Sequence, residues 1–180
     1  MKFLLYFCWK MKFTTIYKAG LAVCVALVLF SCGSKNATTI TVPATLSAEG
    51  PFFEGANSLM APLSLDLSEL VKEEGFESAA AVQLIDVKLT IDDENVTDLG
   101  LFKNATLQFV GKTNPMTTVA ILNPLTFTEN TATLVTSQEA DIKPFFEEDE
   151  FTALLDLDFS NDEYWDGLAV KVNMSFNVEY

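Results

Sequence analysis

Leu168-Ala169-Val170-Lys171-Val172-Asn173-Met174-Ser175-Phe176-Asn177-Val178 puts Leu168, Val170, Val172, Met174, Phe176 and Val178 on one face and a mostly polar set on the other. A period of two sustained over eleven residues is that of a β-strand with one face on a core and the other toward water. Val82-Gln83-Leu84-Ile85-Asp86-Val87-Lys88-Leu89-Thr90-Ile91 reads the same way, with Ile85, Val87, Leu89 and Ile91 expected inside and Asp86, Lys88 and Thr90 opposite. Residues 152–159 form a third such stretch. The eight residues between it and residue 168 predict that these two strands pair antiparallel.

Working outward, Thr38-Thr39-Ile40-Thr41-Val42 predicts a first strand ending near Pro43, and Leu63-Ser64-Leu65-Asp66-Leu67 a second. Residues 105–110, 117–122 and 132–135 are further short strands. Turn chemistry separates them at 49–55, at 111–115 and at Asn123-Pro124. Short helical links are expected at 97–103 and 141–146, and a helix over 68–74 closed by Gly75. Seven or eight short strands of this kind predict an all-β chain, an immunoglobulin-like antiparallel β-sandwich with one or two short helical links. The tyrosine-corner and Cys-Trp-Cys markers of antibody-type domains are absent, so the expectation is one of architecture alone.

The chain carries 11 Lys, 25 Asp and Glu, and neither Arg nor His. Four of the Lys precede Cys32 and no acid does, so the part from Cys32 onward has a formal charge of −18. Such a surface repels phosphates, which argues against a nucleic-acid partner. Hydrophobic content of 49% with 15 Phe marks a globular chain rather than an acidic disordered one.

At the N-terminal end, Lys12 and Lys18 precede an apolar run over 21–30, which is shorter than the roughly 20 residues a membrane span takes. The run closes on Leu29-Phe30-Ser31-Cys32, which resembles the lipobox of bacterial lipoproteins and is similar to that of small Bacteroidota-type lipoproteins. Phe30 departs from the small residue usual at that position. The resemblance implies cleavage between Ser31 and Cys32, lipidation of Cys32 and membrane attachment through it. Residues 1–31 are then a signal peptide, 32–37 a lipidated tether and 38–180 a single domain. Met11-Lys12-Phe13 repeats Met1-Lys2-Phe3, so residues 1–10 read as an upstream extension before a start at Met11. Gly33 after the cysteine, with no acidic run behind it, implies the periplasmic face of the outer membrane over the cell surface. Cys8 and Cys24 fall within the removed part, which leaves Cys32 as the lone cysteine.

Without His, Arg or a free thiol, Ser-His-Asp and Cys-His arrangements cannot be assembled, and the chain is expected not to be an enzyme. Asp156, Asp158, Asp162 and Asp166, with Asn161 and Glu163 among them, offer hard oxygens at a spacing that a Ca²⁺ ion could use. The EF-hand order fails, since counting from Asp156 the sixth position is Asn161 rather than Gly; a solvated acidic loop is the plainer reading, as it is for Glu147-Glu148-Asp149-Glu150. No other cofactor is implied. Tyr164-Trp165 lies in the same connection. The pair could stack a sugar ring, or Trp165 could fold back as a plug over the end of the domain. Phe52-Phe53 and Phe145-Phe146 read as core or end caps. The expected function is a non-enzymatic, membrane-anchored lipoprotein acting as an interaction or structural module of the cell envelope, with a protein or glycan partner. The alternative is a carbohydrate-binding accessory lipoprotein of a glycan-uptake system.

Overall fold

The computed structural model describes residues 36–67, 72 and 78–180. The signal segment, Cys32 and, Lys72 apart, the helix expected over 68–74 therefore lie outside the described residues. Eight antiparallel strands follow one another: β1 (Ala37–Glu49), β2 (Gly55–Leu63), β3 (Ala81–Ile91), β4 (Phe102–Val110), β5 (Thr117–Leu122), β6 (Thr131–Thr136), β7 (Phe151–Phe159) and β8 (Gly167–Glu179). The two expected links are single 3₁₀ turns, Leu99–Leu101 and Lys143–Glu147. Asp98 caps the first by accepting from the Gly100 amide, and Pro144 opens the second, where no intrahelical donor is needed.

The strands close into one barrel in the order β1-β2-β7-β4-β5-β6-β3-β8. Its circuit is uneven. β1 pairs with β8 along all of its length but with β2 only at Ser47↔Met60, and β5 meets β6 at two positions, Ala120↔Thr136 and Ile121↔Val135. Two four-stranded halves, β1-β8-β3-β6 and β2-β7-β4-β5, are thus joined by thin seams, which is the strand order of a jelly roll. This corrects the immunoglobulin-like expectation. An immunoglobulin sandwich has two separate sheets, whereas here every connection except β4–β5 crosses from one half to the other. The predicted pairing of 152–159 with 168–178 is corrected by the same rule: β7 lies between β2 and β4, and β8 between β1 and β3.

The face predicted for the last strand is the one observed: Leu168, Val170, Val172, Met174, Phe176 and Val178 are all buried. In β3 the prediction fails at one residue for a local reason. The register shifts between Leu84 and Asp86, a β-bulge whose extra residue turns Ile85 outward, while Val82 and Leu84 before it and Val87, Leu89 and Ile91 after it all point in. The second strand runs earlier than expected. It occupies Gly55–Leu63, with Ser64, Leu65 and Asp66 already in the loop.

Rings close the two ends of the barrel. Phe52 stacks on Phe159 with centroids 5.4 Å apart, and Phe102 meets Phe159 edge-on at 5.0 Å. At the other end Phe109, Phe145, Phe146, Phe151 and Phe176 form a second cluster, with Phe109 5.0 Å from Phe151 and Phe146 5.1 Å from Phe176. Offset and edge-on contacts of this kind add to the stabilisation from area burial.

Candidate functional site

The register places the loops 50–54, 92–98, 123–130 and 160–166 at one end of the barrel, and Asn36, Tyr180 and the loops 111–116 and 137–150 at the other. Of the sequence-predicted site residues, Asp162, Tyr164, Trp165 and Asp166 lie in the loops of the first end, and Asp156 and Asp158 on the strand that leads to it. Tyr164 and Trp165 part company there. Tyr164 is 78% exposed, whereas the Trp165 ring packs on Phe52 and Phe159, 6.1 Å from each. The Trp165 carbonyl also abuts Gly50, where a Cβ would stand 1.9 Å from its oxygen. Phe52 and Glu163 exchange both backbone hydrogen bonds at 2.8 Å, and Gly50 donates to the Asp166 carbonyl. The Trp165 ring thus lies partly buried over this end of the barrel, and of the pair Tyr164 alone faces water.

The four candidate calcium ligands do not converge. Asp156 and Asp158 sit on the outer face of β7 and reach sideways in opposite directions, Asp156 accepting from Ser58 Oγ on β2 and Asp158 from Asn104 Nδ2 on β4. Asp162 Oδ1 instead accepts from the Glu54 amide, and Asp166 is exposed beyond it. Among the described residues no three His, Cys, Asp or Glu side chains gather as a metal site. Carboxylates spread over a strand face and a loop act here as hydrogen-bond acceptors that tie neighbouring segments together.

At the opposite end a carboxylate with no particular standing in the sequence makes the most elaborate contact. Glu148, just after the second 3₁₀ turn, accepts from the amides of Lys112, Thr113 and Asn114, from Thr113 Oγ1 and from Asn114 Nδ2, at 2.7–3.2 Å. Successive N–H groups of a turn make an anion-binding concavity, and here the anion is the chain's own. Donation from the Lys112 amide first, then from Thr113, holds its pKa down at about 2. Gly111 lets the turn approach, since a Cβ there would stand 2.7 Å from Glu148 Oε1. The partners are 34–36 residues apart, so no local pattern announces them.

No family model matches the chain, and no curated protein matches it. Among solved structures it is similar to the VP2 subviral particle of infectious bursal disease virus, at 15% identity over 82% of this chain and 33% of that one, with a TM-score of 0.39. A turnip yellow mosaic virus structure is similar at 10% identity over 79% of this chain and 82% of that one, with a TM-score of 0.26. The chain thus spans about a third of the VP2 chain it matches, and likenesses this faint say nothing of what it does.

Proposed function

We propose that this chain is a membrane-anchored lipoprotein of the bacterial envelope, tethered through Cys32 at the periplasmic face of the outer membrane, whose acidic barrel is a non-enzymatic interaction or structural module. The observation that carries it is Leu29-Phe30-Ser31-Cys32 standing four residues before Asn36, whose carbonyl already accepts from the Tyr180 amide at the start of the barrel. The barrel itself is built for water: its apolar faces point inward, while Lys171, Asn173 and Ser175 of β8 point out, the reverse of a barrel that faces lipid. No helix among the described residues is long and apolar enough to cross a membrane.

Metabolic labelling with a fatty acid and detergent phase separation test the reading. Wild type should carry label and enter the detergent phase, and Cys32→Ser should do neither. A wild-type chain recovered unlabelled in the aqueous phase sinks it. A second reading, a carbohydrate-binding accessory lipoprotein, is favoured by the exposure of Tyr164 alone. Glycan-array binding that disappears in Tyr164→Ala would promote it.

A further inference from the structure

At the end of the barrel that carries Trp165, segments 50–54 and 160–166 form a short two-stranded ribbon whose two sides differ. Phe52 and Glu163 exchange both backbone hydrogen bonds, and Phe52 turns inward onto Phe159. Residues flanking a bridged pair point the opposite way, so Phe53 and Tyr164 stand on the outer side, Phe53 opposite Asp162 and diagonal to Tyr164. Both rings are in water, Phe53 at 56% and Tyr164 at 78% exposure. Diagonal neighbours of a strand pair lie about 7–8 Å apart, close enough for two rings to grip one side chain between them. The backbone beneath them is fixed. The Phe53 amide donates to Asn57 Oδ1 and the Phe53 carbonyl accepts from Asn57 Nδ2, while the Glu54 amide donates to Asp162 Oδ1 and the Gly50 amide to the Asp166 carbonyl. Rings held this firmly and left in water lose little freedom when a ligand covers them.

We infer that this outer face is a docking surface for a basic segment of a partner protein, with an Arg or Lys side chain of that segment lodged over Phe53 and Tyr164 beside the Asp162 carboxylate. Charge complementarity selects the occupant. The four loops at this end, 50–54, 92–98, 123–130 and 160–166, hold nine acids and no Lys. Lys103 and Lys171 reach in from β4 and β8 but are taken up by Glu54 and Asp92, at 3.8 and 3.3 Å. An aromatic face attracts a cation through its quadrupole, and a carboxylate alongside adds a charge-assisted hydrogen bond. The acidic loops around the rings steer a cationic chain toward them and repel an anionic one. A neutral glycan could use the rings but is indifferent to the net charge, so a basic polypeptide fits this surface better than the sugar of the second reading.

Fluorescence anisotropy tests this with a labelled peptide of alternating Arg and Gly, titrated with the full chain in a non-ionic detergent, and with a Glu-Gly peptide as its counterpart. The Arg peptide should bind, more weakly as salt is raised, and the Glu peptide should not. Phe53→Ser and Tyr164→Ser should each weaken binding about two- to fivefold, the share of a cation–π contact at an exposed site. Because both rings are exposed, neither change should move the melting temperature. Val135→Ser, which removes an exposed apolar side chain from β6, should leave binding at the wild-type level. No binding of the Arg peptide at low salt, or binding that both ring substitutions leave intact, would overturn the proposal, the latter by showing attraction to net charge alone. So would a neutral glycan that binds in place of the peptide and is lost with the same two substitutions.

Discussion

Glu148 shows how much a single side chain can hold together. Its folded pKa of about 2 lies below the ordinary 4.5, so its contribution is fully present above pH 4.5 and is lost as the pH falls through 2. Glu148→Gln keeps the shape and discards the charge. The melting temperature of that variant should fall below wild type at neutral pH, and the gap should narrow as both are titrated from pH 5 toward 2. A gap independent of pH would mean that the charge is not what holds the turn. Gly50 makes the complementary point about space. Gly50→Ala forces a Cβ against the Trp165 carbonyl, and urea unfolding should show a loss of about 1–3 kcal/mol. Neither residue stands out in the sequence: one is an acid among four in a row, the other a turn glycine, and the partner that gives each its role is more than 30 residues away.

At the scale of the strand, alternation was legible and its interruptions were not. Both faces of β8 follow from its letters because nothing disturbs its period. β3 carries the same kind of pattern with one residue too many, and only the register against β8 shows that Ile85 is the residue expelled. Ile85→Thr should therefore change stability by no more than about 0.5 kcal/mol, whereas Val87→Thr, two residues on and fully buried, should cost about 1–3 kcal/mol by stranding a hydroxyl in the core. Equal losses in denaturant titrations of the two would contradict the bulge. Turn signals marked where strands end but not where the chain goes next. An eight-residue connection suits a hairpin or a crossing between halves, and the choice at β7–β8 is made by β2, β4, β1 and β3, which already flank the two strands.

At the scale of the barrel, charge and strand periodicity pointed to an acidic all-β chain, while closure and strand order came from pairings between distant segments that no local pattern encodes. The candidate site shows the same division: the acids, the aromatic pair and the plug reading of Trp165 were legible, whereas the particular partners, Phe52 and Phe159 for the ring and Ser58, Asn104 and the Glu54 amide for the acids, were not. Most of the acids lie on the outside and repel one another, so raising salt from about 10 mM to 1 M, which shortens the screening length from about 30 to 3 Å, should raise the melting temperature. A melting point that falls or stays flat would show that attractive pairs such as Lys171–Asp92 outweigh the repulsion.

β1 leans on a strand some 130 residues further along the chain: Thr38 Oγ1 meets the Tyr180 hydroxyl at 2.7 Å across a separation of 142 residues. Contacts of such long range are slow to form. As the chain emerges N-terminus first, its leading strand has only a single described rung with β2 until β8 has followed. The connectivity thereby keeps the barrel from closing before its last strand is made.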